Sequence, residues 1–312
     1  MIVSTTEHYL LAYLRQARPR LNTLLKLTLS ESHVFGQPAQ WLGSVIELAQ
    51  PLGFHERTIR TAVFRLTEHQ ELAVERHGRR SLCLLAPATL GLFQAARQRL
   101  NRPPARTLDD DWTLLLNSGG ISAARYADAR RQLRSQDYCV LAPNLLARPA
   151  ACRDSQGASL PPAAQHGLAM FDVSGAQLAA ALHQPLFGKA EWDLDTPAAA
   201  YQEFQQRFGP LRQLMGQRGA ISDQQAFAIR LLVSHAYQHC RHSDPMLPQE
   251  LLPQSWPAMA AYQTYVALYS GCASQARRHL LKTMAAAQAK VAHAASQLAP
   301  STMSRPALRG AA

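Results

Sequence analysis

The sequence predicts an α+β protein of several domains. These are an N-terminal winged helix-turn-helix, a central ferredoxin-like α/β sandwich and a C-terminal, mostly helical domain. Three observations carry this. Between Gly43 and Ala86, two amphipathic segments meet at a proline–glycine break and a hairpin signal follows. From Trp112 to Leu182, short apolar strands alternate with helical stretches. Beyond Thr196, long segments repeat apolar residues at helical spacing and break at prolines.

Residues before about Pro19 read as an extra helical or frayed segment with Leu10, Leu11 and Leu14 on its apolar side. Residues 19–86 form the first domain. Its first helix is Leu21 to Phe35, with Leu21, Leu24, Leu25, Thr28 and Leu29 as the buried stripe. Its second runs from Trp41 and stops at Pro51 and Gly53, since proline cannot continue a helix and glycine accepts the turn. The next helix, His55 to His69, places Ile59, Ala62, Val63 and Leu66 on one stripe. Arg57, Arg60, Thr61 and Phe64 fall opposite, with Thr58 and Arg65 at the edge. Leu72, Val74, Leu82 and Leu84 mark two strands around His77-Gly78, and Arg76, Arg79 and Arg80 sit at the turn.

Residues 87–110 form a linking helix ended by Asn101-Arg102-Pro103-Pro104. The middle domain, 111–195, opens with a strand at Trp112 to Leu116. A helix follows, with Ala123, Tyr126, Ala127, Arg130 and Leu133 at helical spacing. Tyr138 to Pro149 reads as one or two strands broken at Pro143, and Asp154 to Gly157 belongs to a polar loop. Leu168 to Val173 is a strand, Ser174 caps a helix, and Ala190 to Asp195 suggests a final short strand. This order suggests the ferredoxin-like arrangement. The C-terminal domain, 196–284, comprises a helix bearing Tyr201, Phe204 and Phe208, a long apolar helix ending at Pro245, a proline-broken connector and one closing helix. Residues 285–312, rich in alanine, read as a fading helix and a disordered tail.

An amphipathic helix after a tight turn, followed by a basic-tipped hairpin, suits a major groove and flanking phosphates. Arg57, Thr58, Arg60, Thr61 and Arg65 are the helix candidates for DNA contact, and Arg76, Arg79 and Arg80 those of the wing. A solvated face beside an incidental hairpin is the plain alternative. The net charge of +11 favours a polyanionic partner such as double-stranded DNA. The five cysteines form no CxxC pair, which suits a reducing cytoplasm. Neither a signal peptide nor a membrane-spanning run is legible.

No catalytic frame is legible: GxSxG, P-loop, paired-carboxylate and Cys/His signatures are all missing, so a non-enzyme is expected, with no cofactor. His235, His239 and His242 invite a metal-dependent hydrolase or nuclease reading, as does Asp109 to Asp111. A HExxH glutamate is lacking, and Arg241 brings a positive charge into the cluster. A core histidine and a solvated acidic junction account for the same residues. Arg125, Arg130, Arg131 and Arg134 on the middle helix suit phosphate binding, a solvated face or a dimer edge.

The run WLGSVIELAQPLGFHERTIRTAVFRL, followed by RHGRRS, resembles the N-terminal domain of the PaaX-type repressors of phenylacetate degradation. RLLVSHAYQHCRHSDPMLPQELLPQSWP resembles their C-terminal signature, and Trp192-Asp193-Leu194 with Tyr201 and Phe204 also fits. The likeness spans about Pro19 to Leu280. It implies a homodimeric operator-binding repressor of an aromatic-acid operon, released by phenylacetyl-CoA or a related acyl-CoA. It also implies effector or structural roles for His235, Arg241 and Asp244, and a CoA ligand for the arginines of the middle helix.

Overall fold

The computed structural model describes residues 5–104, 106–134, 136–150, 166–182, 192–215 and 221–297. In chain order the first elements are α1 (Thr5–Ala17), α2 (Leu21–Val34), β1 (Ala39–Trp41), α3 (Leu42–Ala49), α4 (Glu56–Glu68), β2 (Leu72–His77), β3 (Arg80–Leu85) and α5 (Pro87–Leu100). Then come β4 (Trp112–Leu116), α6 (Ala123–Arg134), β5 (Cys139–Ala142), β6 (Leu145–Pro149), β7 (Ala169–Val173) and α7 (Gly175–Leu182). The helices α8 (Asp195–Leu214), α9 (Asp223–Ser243), α10 (Ala258–Gly271) and α11 (Ala273–Gln297) follow. The fold is α+β, mostly helical, with two small antiparallel sheets. No helix among the described residues is long and apolar enough to cross a membrane.

The chain divides into two units that are discontinuous in sequence. One takes the described residues of 1–95, 219–231 and 272–312, the other those of 96–218 and 232–271. The segment 196–284 therefore contributes to both, although its helical patterning reads as one block.

In the first unit, the four stripe residues of α4 (Ile59, Ala62, Val63 and Leu66) are all buried. They share one core with Leu25 and Leu29 of α2, Val45, Ile46 and Ala49 of α3, and Leu72, Cys83 and Leu85 of the hairpin. Burying each larger side chain contributes about 1.5–3 kcal/mol. Helix α3 gives way to a short 3-10 turn, Gln50–Leu52, closed by Gly53 at φ 89°, a left-handed conformation that favours glycine. The hairpin pairs His77 with Arg80, so Gly78 and Arg79 form its two-residue turn. The sheet has a third strand, in the order β1-β3-β2. Trp41, expected to begin a helix, instead lies in β1 opposite Leu82. A strand of three residues is too short to display a period of two.

Helix α2 is enclosed far beyond its apolar stripe: Ser30, Glu31 and Ser32 are buried with the leucines. Arg230 of α9 donates through Nε and Nη2 to Glu31 Oε2, at 3.0 and 2.7 Å. The two side chains are only 3% and 5% exposed, so this is a fully desolvated ion pair. The Arg230 guanidinium also lies 5.0 Å from the Phe35 ring centre. Arg278 of α11 makes a two-pronged contact with Asp223, the first residue of α9.

In the second unit, four antiparallel strands run in the order β5-β6-β4-β7. Alternation along each strand separates two faces. On one, Leu115, Tyr138 and Leu146 meet Tyr126, Ala129 and Leu133 of α6. On the other, Trp112, Cys139, Leu141 and Ala147 meet Leu178 of α7 and Met246 and Leu247 of the connector after α9. Tyr138 to Pro149 resolves into two strands, β5 and β6. Helix α7 begins with reciprocal bonds between Ser174 and Gln177. A Cβ on Gly175 would collide with the Leu108 carbonyl oxygen, so only glycine allows this approach.

Several expectations are corrected. The inner face of α6 uses Ala129 while Ala123 and Ala127 are exposed, because alanines alone cannot orient a helix pattern. Trp192 to Leu194 form no strand. Trp192 Nε1 donates to the Val140 carbonyl at 3.0 Å, and Asp193 accepts the Thr196 N–H at 3.1 Å, starting α8. The single closing helix is two, α10 and α11, and α11 stays helical to Gln297. The loop at Asp154 to Gly157 and residues 298–312 lie outside the described residues.

Because Glu31 and Arg230 are both desolvated, removing one leaves the other buried without this opposite charge. Glu31→Gln or Arg230→Met lowers stability by about 3–5 kcal/mol, and the paired replacement Glu31→Leu/Arg230→Leu costs far less. Urea unfolding of the three variants tests this; single losses as small as those of surface pairs would refute it.

Candidate functional site

Two arrangements stand out, one in each unit. In the first unit, α4 buries its apolar stripe and leaves Arg57, Thr58, Arg60, Thr61, Phe64 and Arg65 exposed. Arg60 donates through Nε to Glu56 at 2.8 Å, with the two side chains 53% and 51% exposed. A pair this open is worth at most about 1 kcal/mol, so an incoming phosphate can displace the glutamate. The Thr61 hydroxyl donates to the Arg57 carbonyl at 3.0 Å, which leaves it acceptor lone pairs and a methyl for any partner.

At the hairpin, Arg76 and Arg79 are exposed, but Arg80 is half-buried. Its guanidinium lies 5.2 Å from the Trp41 ring centre. The His77 ring meets the same indole edge-on at 5.8 Å and sits 3.5 Å from the Glu75 carboxylate. Trp41 thus organises the tip of the hairpin. Sequence reading missed this role because it placed Trp41 in a helix.

In the second unit, a cavity of about 740 Å³ is lined by Arg99, Arg130, Arg131, Arg134, Arg241 and His242. Trp192, Asp137, Asp244 and Met246 complete much of its wall. The structure therefore brings together Arg130, Arg131, Arg134, Arg241 and Asp244. Arg125 and His235 are not among the lining residues. Arg125 is exposed in the first turn of α6, and His235 is buried against the His239 ring at 5.0 Å. Arg99 escaped notice, and His242 was legible only as a metal candidate, because they come from the ends of α5 and α9, far in sequence from the arginines of α6.

Asp244 is the hub of the wall. It is buried, and its Oδ2 accepts the Tyr201 hydroxyl at 2.5 Å while Oδ1 accepts the Met246 N–H at 2.7 Å. Arg241 Nη1 lies 3.6 Å from Asp244 Oδ2. Burial and then the Asp244 charge hold the Tyr201 hydroxyl well above its ordinary pKa, so it stays protonated as a donor. Burial opposes the charge of Arg241, but Tyr201 and Asp244 more than offset it and raise its pKa. Arg241 Nη1 has no hydrogen-bond partner among the described residues. The cavity thus offers several fixed or mobile cations, one of them with a buried donor still to satisfy.

Other chemistry finds little support in the geometry. Among the described residues, no three His, Cys, Asp or Glu side chains converge to hold a metal. His239 and His242 are exposed while His235 is buried, and Asp109, Asp110 and Asp111 are exposed. The free thiols of Cys83, Cys139 and Cys272 are pushed by burial to about 11, and that of Cys240 to about 12. They stay protonated and unreactive at neutral pH.

Residues 25–88 match the model of the PaaX-like protein family, and residues 192–282 that of the PaaX-like protein C-terminal domain. The chain is 36% identical over 241 residues to the transcriptional repressor PaaX of Escherichia coli (strain K12), covering 76% of this chain and 75% of that protein. A solved structure of an uncharacterised protein from Mycobacterium tuberculosis is similar at 22% identity and a TM-score of 0.46, covering 76% of this chain and 90% of that one.

The burial of His235 has a consequence in acid. Desolvation, then the charge of His239, lowers its pKa to about 4 from an ordinary value of 6.5. As pH falls through that window the unfolded chain takes up a proton that the folded chain refuses, so stability declines by up to about 3 kcal/mol. His235→Gln flattens that part of the decline. Unfolding free energies measured from pH 7 to pH 4 check it, and an unaltered slope in the variant would contradict the assignment.

Proposed function

Because the chain belongs to the PaaX-like protein family, we propose that it is a DNA-binding transcriptional repressor, a regulator and not an enzyme. The observation that carries this is the face of α4, where arginines and threonines are exposed over a fully buried apolar stripe. Helices α3 and α4, their tight turn and the β2–β3 hairpin support a winged helix. Helix α4 enters the major groove, and Arg76 and Arg79 reach the flanking backbone. The Arg80–Trp41 stack sets the shape of the wing.

Arg57 and Thr58, in the first turn of α4, reach base edges, and Arg60 and Arg65 hold phosphates. A homodimer places two such helices about one DNA turn apart on a palindromic site. The strand order β5-β6-β4-β7, with α6 on one face, supports a ferredoxin-like core for the middle segment. The target is an aromatic-acid operon of the phenylacetate type, and the repressor acts in the cytoplasm.

The effector is an acyl-CoA, phenylacetyl-CoA or a close relative, held in the arginine-lined cavity. Phosphates pair with Arg130, Arg131 and Arg134 on the open side. The unfilled donor of Arg241 binds a polar acceptor deeper in. Trp192 and Met246 supply apolar wall. Arg125 and His235 lie outside this site. Release requires that the ligand bind the DNA-incompetent state more tightly than the competent one.

Two experiments test this. In a gel-shift salt series on the promoter upstream of its own gene, Arg60→Ala weakens binding and lowers the salt slope by about one. Unchanged binding and slope would remove Arg60 from the phosphate contacts. In the same assay a panel of acyl-CoAs releases the wild-type protein. Arg134→Ala binds the operator normally but needs roughly tenfold more ligand for release. An effector without phosphates, or equal sensitivity in the variant, would move the ligand elsewhere.

A further inference from the structure

Resting on the DNA-binding reading above, we propose that Phe64 reads a thymine in the operator through its C5 methyl group. Phe64 is 62% exposed at the third turn of a helix whose buried stripe is already complete without it. A phenyl ring left in water forfeits a large apolar burial. It shares the helix face of Thr61, three residues before it, and Arg57, seven before it, so whatever meets those two meets Phe64.

The surroundings decide the partner. Arg57, Arg60 and Arg65 flank the ring, and the remaining exposed large apolar residues lie on other elements. A lone ring among arginines suits a polyanion that carries isolated apolar groups. The major groove of DNA meets that description, because the thymine C5 methyl is the apolar group displayed there among the base edges. Thr61 adds its methyl beside the ring, since its hydroxyl proton is committed to the Arg57 carbonyl. Arginines on this helix fix register on the backbone, and Phe64 then separates thymine from cytosine without a hydrogen bond.

The test is operator binding with single thymines replaced by deoxyuridine, which deletes the methyl and keeps every hydrogen-bonding group. Wild-type protein loses roughly three- to fivefold in affinity at one half-site position and its symmetry mate, the worth of about one buried methyl. Phe64→Ala binds thymine and deoxyuridine operators equally. Phe64→Leu, which keeps an apolar contact, retains a preference for thymine and guards against misfolding of the alanine variant. Wild-type protein that binds the operator but ignores every deoxyuridine substitution overturns the inference and leaves the repressor reading standing. So does an alanine variant that still prefers thymine. Failure of the wild-type protein to bind any upstream DNA overturns the repressor reading itself, and this inference with it.

Discussion

The first unit depends on a charge pair that its own core must justify. Glu31 and Arg230 are buried almost completely, and each would be costly to desolvate alone. Two donors to one carboxylate oxygen, with the Phe35 ring beneath the guanidinium, make their joint burial tolerable. The pairing explains why α2 is buried through Ser30, Glu31 and Ser32, positions that an isolated three-helix domain would leave to water. It also fixes the register of α9 on α2, since a shift by one residue would break the pairing of two buried charges. The core that presents α4 is therefore anchored by a residue about two hundred positions away in sequence.

In the second unit the corresponding constraint is Asp244. The Asp-Pro turn that ends α9 places this carboxylate under the Tyr201 hydroxyl and the Met246 N–H, and Met246 takes a left-handed φ of 57°. The strain of that conformation is offset by the bond its N–H makes and by Met246 and Leu247 entering the core beneath the sheet. One turn thus ends a helix, closes a sheet face and builds a cavity wall. A connector rich in prolines suits the task, because it supplies apolar side chains without N–H groups that would need burying.

Much of this was legible in the sequence and some was not, for identifiable reasons. The α4 stripe was plain because Ile59, Val63 and Leu66 contrast sharply with the arginines between them. The hairpin was plain because His77-Gly78 is flanked by alternating leucines. Strand β1 was hidden by its length, and the inner face of α6 by a run of alanines. The break between α10 and α11 was hidden because Gly271 sits in an otherwise continuous helical pattern. The cavity was half legible: the arginines of α6 clustered in sequence, whereas Arg99, Trp192 and Arg241 meet them only through the fold. Discontinuous units were beyond reach, since local periodicity says nothing about which helix a buried glutamate will meet.

The two arrangements differ in what they ask of their arginines. Those on α4 are exposed and held by weak neighbours such as Glu56, so exchanging a carboxylate for a phosphate costs little and charge alone confers affinity without sequence preference. Arg241 is the reverse: only 10% exposed, oriented by Asp244 and left with a donor unmet, it gains most from a ligand that fits its geometry. Arg241 also belongs to the helix that carries Arg230, about three turns away. One helix therefore carries both kinds of arginine, one closed against a buried carboxylate and one with a donor left open.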